Sequence, residues 1–168
     1  MWWLDAVFLV YFAVHIPTTA LIDAQCLPVV AELVPGFAKE LLAYHVETFH
    51  DPLVADPPRW FVSLVVCEAL LQLPFFFVAV YAFVAKRNWI RIPAIIYGAH
   101  VATTLVPILA EIAYAEPKAD SPGGVLTPEL RATLIAIYIP YLLVPITLVV
   151  RMACAEHPFG EPGKAKMA

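Results

Sequence analysis

Three polar side chains lie in apolar surroundings, where burying a polar group costs free energy. Asp23, Glu68 and Gln72 stand within, or at the ends of, long apolar segments of the chain. An ionisable group at membrane depth is costly unless something pairs with it, and is therefore a candidate functional group. We expect these side chains to form a binding site whose missing partner is a cationic or polar ligand.

The spacing of these groups predicts that they converge. Glu68 and Gln72 are four residues apart and share one helix face. At about 1.5 Å per residue from Trp60, Glu68 lies roughly 12 Å into the hydrocarbon and cannot face lipid. Asp23 ends the first apolar segment on the same side, and the following connection brings Asp51 back to that side. Carboxyls that meet in a dry interior cannot all be ionised, so we expect a shared proton, with Glu68 neutral.

Such a cluster supports two chemistries. A neutral carboxyl beside an ionised one is a counter-ion for an ammonium ligand, helped by aromatic rings through cation-π contact. The same pair could instead protonate and deprotonate a lipid alkene, with a carbocation between the two steps. A third possibility is structural: the acids only hold helices together, and Asp51 caps a turn before Pro52. The aromatic side chains available for cation-π contact are Tyr44, Tyr97, Tyr138 and Tyr141.

The amino-acid composition indicates that these groups lie in a protein surrounded by lipid and not by water. The 168 residues are 62% hydrophobic and 14% charged, with a mean hydropathy of +0.80, far more apolar than a soluble domain. Four segments reach the ~20 apolar residues needed to span a bilayer. We predict an all-α, four-helix transmembrane bundle at 1–153, followed by a cytosolic tail at 154–168. The predicted spans are 4–22, 60–85, 92–114 and 130–152.

Charge and proline patterns add detail to this bundle. One membrane face carries six basic residues, whereas the other carries four basic and nine acidic residues. The positive-inside rule therefore predicts that both termini are cytosolic. An amphipathic segment at 37–50 is expected to cap the luminal side, and the tail from Glu156 to be disordered. Prolines within all four spans predict bent helices around a pocket; they are Pro17, Pro74, Pro107, Pro140 and Pro145.

Two histidines within the spans have a structural interpretation. His15 and His100 lie on different predicted helices, without another ligand at metal-binding spacing. We expect them to make hydrogen bonds between helices. We predict no metal site, no cofactor and no nucleic-acid partner.

Longer runs of residues carry a family resemblance that extends over nearly the whole chain. The runs include Tyr11-Phe12, His15-Ile16-Pro17, Asp51-Pro52-Leu53, Gln72-Leu73-Pro74-Phe75-Phe76 and Pro140-Tyr141-Leu142-Leu143. In these runs the chain resembles a four-helix endoplasmic-reticulum member of the EXPERA family.

The resemblance implies a receptor in the endoplasmic-reticulum membrane whose pocket opens sideways and binds sterols and amphipathic amines. By position, Asp23 would pair with the ligand cation, Glu68 would hydrogen-bond Asp23 as a protonated acid, and Asp51 would support the site. Tyr44-His45 departs from the Trp-Tyr pair of the family, so ligand preference is expected to differ. The resemblance also implies that the cavity is lined by Gln72, Tyr97, Thr104, Ile137 and Tyr141.

The resemblance also implies a role in cholesterol homeostasis and association with the Niemann-Pick type C cholesterol transporter. Small residues in the spans permit a homodimer. Lys164 and Lys166 fit the dilysine pattern for retrieval to the endoplasmic reticulum, on the face where the predicted topology places the tail. The alternative is enzymatic, because the family includes a sterol double-bond isomerase; Glu68 would then be the acid, with His15 or His100 as a relay. The four-span count favours the receptor.

Overall fold

The chain folds into α-helices joined by short turns. The computed structural model describes residues 2–116 and 123–161, and neither range contains a β-strand. A π-helical turn at Glu68–Gln72 joins α5 to α6, and 3-10 turns lie at Asp23–Cys26 and Asn88–Ile90. The α-helices of the described ranges are α1 (Trp2–Leu21), α2 (Pro28–Ala31), α3 (Gly36–Phe49), α4 (Pro52–Ala55), α5 (Arg59–Cys67), α6 (Leu73–Val84), α7 (Arg91–Tyr114) and α8 (Pro128–Ala153).

Long apolar helices dominate this architecture. In the part of the chain that is described, four helical stretches are long and apolar enough to cross a membrane: Trp2–Cys26, Arg59–Val84, Asn88–Tyr114 and Pro128–Ala153. Large apolar side chains on them point outward, such as Leu70 at 69% exposed and Ile96 at 64%. Lipid solvates such a surface, whereas water would not. The predictions of an all-helical chain and of four long apolar helices are confirmed.

The helices associate in two pairs, α1 with α6 and α7 with α8. In the first pair, the buried rings of Phe8 and Phe12 contact Phe76 and Phe83 at centroid distances of 5.8 to 6.1 Å. Aromatic contacts of this kind contribute about 0.5–1.5 kcal/mol each beyond simple burial. They fix the rotation of α1 and so decide which of its side chains face the bundle interior.

In the second pair, a glycine allows the two backbones to approach closely. A Cβ atom on Gly98 would lie 2.6 Å from Val149 Cγ2 and 2.8 Å from the carbonyl oxygen of Pro145. Small residues at such points are typical of membrane helix interfaces, where packing rather than hydrophobic transfer holds helices together. Even an added methyl group would force α7 and α8 apart.

Two arginines join the ends of α7 and α8. Arg91 begins α7, and its Nε donates to the carbonyls of Met152 and Ala155, both at 2.9 Å. Arg131, in the first turn of α8, donates to the carbonyls of Ile112 at 2.6 Å and Ala115 at 2.7 Å. The last carbonyls of a helix lack partners within it, and a cation there is favourable. Each helix therefore caps the end of its neighbour.

The segment after α8 is anchored to the loop between the second and third spans. Asn88 donates to the carbonyl of Gly160 at 2.8 Å and accepts from the amide of Phe159 at 2.9 Å. The Phe159 ring packs edge-on against Phe83 at 5.3 Å. The prediction of a disordered tail from Glu156 is therefore wrong for residues 156–161. Residues 162–168, which include Lys164 and Lys166, lie outside the described ranges.

Candidate ligand-binding site

A cavity of about 250 Å³ lies between the membrane-spanning helices and helices α3 and α4. This volume is slightly below the range that is usual for small-molecule sites, about 300–1,000 Å³. Most of the wall is aliphatic or aromatic, and a few polar side chains interrupt it. The polar groups include His15, Thr18, Asp23, His45, Glu68, Gln72 and Thr104. This composition suits a small amphipathic guest.

Glu68 is held in the cavity wall by a threonine. The hydroxyl of Thr19, which is fully buried, donates to Glu68 Oε1 at 2.6 Å. Asp23 follows Thr19 by one helical turn and interacts electrostatically with Glu68. Both acids are partly accessible because they face the cavity. Thr19 is thus a hydrogen-bond partner of Glu68, and the hydrogen bond from Glu68 to Asp23 that the resemblance implies stays a prediction.

The helix that carries Glu68 widens at this residue. The amide of Leu73 donates to the carbonyl of Glu68, five residues back, as in a π-helix. Pro74 follows at once and lacks the N–H that an α-helix would use there. The wider turn accommodates the proline ring and places Glu68 and Gln72 on the cavity wall. The sequence predicted regular α-helical spacing for this pair, and the structure replaces it with a π-helical turn.

The charge of the cavity is unbalanced. Two carboxyl side chains, Asp23 and Glu68, reach its wall, whereas no lysine or arginine of the described residues does so. A carboxylate in a low-dielectric site is stable only with a positive or strongly hydrogen-bonding partner. A cationic guest is one partner that could stabilise such a carboxylate.

Aromatic rings line the inner part of the cavity. The hydroxyls of Tyr11 and Tyr97 lie 3.2 Å apart, and the His15 ring lies 4.0 Å from Tyr11 and 5.0 Å from Tyr141 between centroids. Such faces attract an ammonium group. His15 Nδ1 is 2.7 Å from the carbonyl of Tyr11 in the same helix and must donate to it.

The expected hydrogen bonds between helices are not found for the two histidines. His15 bonds within α1, so the prediction is wrong for this residue. His100 keeps a buried Nε2 that has no partner among the described residues. His15 lines the cavity, and His100 is not part of its wall.

Asp51 lies behind the wall, at the centre of a hydrogen-bond network. It is fully buried, and its Oδ1 accepts from the amide of Leu53 at 3.0 Å, which caps α4. Its Oδ2 accepts from the hydroxyl of Tyr138 at 2.8 Å and lies 3.1 Å from His45 Nε2. This network joins α3, α4 and α8. The interpretation of Asp51 as a cap before Pro52 is correct for Oδ1, and Oδ2 makes the additional contacts with Tyr138 and His45.

The candidate residues fall into two groups by position. Asp51 makes contact with the cavity only through its neighbours His45 and Tyr138, which line it. Tyr44, a candidate for cation-π contact, is exposed and is not part of the cavity wall. The other predicted ligand-binding residues line the cavity itself: Asp23, Glu68, Gln72, Tyr97, Thr104, Ile137 and Tyr141.

Sequence similarity places these helices in a family. The family described as EXPERA (EXPanded EBP superfamily) matches residues 37–152 of the chain, from α3 to the end of α8. The chain belongs to the EXPERA family.

Several curated proteins are similar to this EXPERA chain over most of their length. Sigma intracellular receptor 2 of Xenopus tropicalis is 49% identical over 152 residues, which cover 89% of this chain and 87% of the relative. Sigma intracellular receptor 2 of Homo sapiens, a sigma-2 receptor, is 44% identical over 147 residues, 84% of this chain and 82% of the relative. Efficient mitochondria targeting-associated protein 19 of Saccharomyces cerevisiae is 30% identical over 153 residues, 84% of this chain and 92% of the relative.

Sequence reasoning missed two polar groups of this EXPERA site, Thr19 and His45, and named Tyr138 only as an aromatic ring and not as a hydrogen-bond donor to Asp51. Thr19 had a readable signal, since it stands one helical turn before Asp23. His45 and Tyr138 had none, because each meets Asp51 only through packing of separate helices. Cys26 also lines the cavity.

Proposed function

We propose that this EXPERA protein is a receptor of the endoplasmic-reticulum membrane that binds amphiphilic amines and sterols. One observation carries the proposal: Asp23 and Glu68 face one cavity between the long apolar helices, and no described lysine or arginine lines it. A bound ammonium supplies the missing charge. The high identity to Sigma intracellular receptor 2, a relative whose name denotes a receptor, supports this reading.

The proposed ligand lies with its charged end at the carboxyls. Asp23 is the ionised counter-ion, and Glu68, fixed by Thr19, shares the remaining proton. The ring faces of Tyr97 and Tyr141 contact the cation, while Ile137 packs against the apolar part of the ligand. Gln72 and Thr104 provide neutral hydrogen-bonding groups, and Asp51 holds the surrounding helices in place.

Sterol isomerisation is the alternative function, and one feature favours it: Glu68 and His15 line the same cavity, as a proton donor and a relay would. The discriminating experiment incubates purified protein with a ring-unsaturated sterol and, in parallel, measures equilibrium binding of an amphiphilic amine. We expect saturable amine binding and no shift of the double bond, because the Asp23–Glu68 pair, which holds one shared proton, serves as the counter-ion.

The variant Glu68→Gln, which keeps an acceptor for Thr19, makes this comparison sharper. Turnover in the wild type that disappears in Glu68→Gln would establish the isomerase instead. Absence of amine binding, with or without turnover, would remove the receptor proposal. Glu111→Gln serves as the matched control, since Glu111 is exposed on α7 outside the cavity.

We further propose that both termini face the cytosol and that the prolines bend the spans around the pocket. The distribution of lysine and arginine supports this orientation. A glycosylation acceptor sequence inserted into residues 32–35, between α2 and α3, should be modified in microsomes, and one added after residue 168 should not. Glycosylation only at the site after residue 168 would show that the topology is the inverse of the proposed one.

The cellular role follows from the same proposal. A sterol receptor in this membrane would act in cholesterol homeostasis, with the Niemann-Pick type C cholesterol transporter as a partner and a homodimer as a possible assembly. Retrieval to the endoplasmic reticulum would use Lys164 and Lys166, outside the described residues.

A further inference from the structure

His45 connects the cavity to the buried network around Asp51. It lies on α3, outside the membrane-spanning helices, and its ring lines the cavity beside Leu42. The His45 side chain is 26% exposed, whereas Asp51 is 0% exposed. A ligand can therefore touch His45 but cannot reach the carboxylate behind it.

The hydrogen bonds of Asp51 determine which nitrogen of His45 carries hydrogen. Both oxygens of Asp51 accept, from the amide of Leu53 and the hydroxyl of Tyr138. A carboxylate has no hydrogen to donate, so with Asp51 as the acceptor of all three contacts, the 3.1 Å contact places a hydrogen on His45 Nε2. In the neutral imidazole, Nδ1 then bears a lone pair and is an acceptor.

That acceptor is not used by the protein. Among the described residues, no group hydrogen-bonds to His45 Nδ1, and Nδ1 is not among the buried polar atoms that lack a partner. It is therefore an accessible acceptor on a ring that lines the cavity. Its orientation is fixed from behind by Asp51, so a donor on the ligand would meet it at little entropic cost.

We infer that His45 Nδ1 accepts a hydrogen bond from a hydroxyl group of the ligand and so selects hydroxylated amphiphiles over their ethers. This inference rests on the proposed function and adds a second polar position to the carboxyl pair. The first position binds the ammonium through Asp23, and the second reads a hydroxyl elsewhere on the same molecule. His45 is thus a specificity-determining residue of the site.

The test uses a homologous series of dimethylaminoalkanols of increasing length, each compared with its methyl ether, as competitors against a labelled amphiphilic amine. At the length that spans both positions, wild-type protein should prefer the alcohol by about fivefold, the usual effect of one net hydrogen bond. His45→Phe should lose this preference. His45→Gln should keep most of it, because its amide can donate to Asp51 and still present an oxygen. Tyr44→Phe is the matched control on the exposed side of the same helix.

A spectroscopic measurement on the wild type does not depend on how the variants fold. With histidine labelled by nitrogen-15, the alcohol should shift the Nδ1 resonance of His45 and the ether should not. An alcohol preference of equal size in wild type and His45→Phe, or an Nδ1 resonance insensitive to the alcohol, would overturn the inference while leaving amine binding intact. If no member of the series competes at all, the proposed function itself fails.

Discussion

Replacement of Asp23 by Asn is expected to weaken binding of an amphiphilic amine by about 30-fold or more, equivalent to ~2 kcal/mol, because loss of one partner of a desolvated charge pair has an effect of this size. The substitution preserves the shape of the side chain and removes its charge. Glu68 keeps its hydrogen bond from Thr19, so the cavity wall should persist. Equilibrium binding of a labelled quaternary amine, whose charge does not depend on pH, measures the effect.

The control for this experiment is Asp56→Asn, which removes an exposed acid between α4 and α5. It should leave affinity unchanged, which excludes a general effect of net charge on a cationic ligand. If Asp23→Asn binds the amine as tightly as the wild type, the counter-ion assignment is wrong. If it disturbs only thermal stability, Asp23 is a packing residue and the scaffold interpretation is correct.

Replacement of Asp51 by Ala is expected to reduce the stability of the ligand-free protein by about 3 kcal/mol, because it leaves several buried donors without a partner and removes a helix cap. The donors are the amide of Leu53, the hydroxyl of Tyr138 and His45 Nε2. They belong to three helices, so the loss should loosen α3 and α4 from α8. Thermal unfolding in detergent, without ligand, should show a clear drop in Tm.

Asp51→Asn separates this effect from simple loss of volume. An Asn keeps an oxygen that can accept from Leu53, so most of the stability should remain, whereas Asp56→Ala should change Tm little. Equal Tm values for wild type and Asp51→Ala would show that the network does not hold the helices together. Asp51 would then not support the binding site by holding α3, α4 and α8 in place.

Helix content and the four apolar spans were readable from the sequence because hydropathy accumulates over consecutive residues. About 20 apolar residues in a row favour a spanning helix whatever their neighbours in space are. The cost of an acid among them is equally local, so Asp23 and Glu68 could be identified as candidates without knowing what they face. Family membership was also visible, because matching runs occur along most of the chain.

The π-helical turn and the ordered tail segment could not be predicted from the sequence, because both depend on tertiary contacts. The π-helical turn at Glu68 depends on how the wider turn accommodates Pro74 within the bundle, and the sequence indicated a regular helix instead. The tail was expected to be disordered because it is polar and terminal, yet Asn88, in the loop between the second and third spans, makes hydrogen bonds to residues 159–160. Neither partner is near the other in sequence.

The sequence by itself determined that the chain is a helical protein of the EXPERA family, with four helices apolar enough to span a membrane and with acids in or next to them. The tertiary structure alone decided what those acids contact: Thr19 donates to Glu68 across 49 positions of sequence, and Tyr138 donates to Asp51 across 87. The physical reason is that apolar transfer energy sums along one segment, whereas a hydrogen bond between helices depends on the rotation and depth of both. Those are set by packing, such as the Phe8 and Phe12 contacts of α1 and the close approach at Gly98.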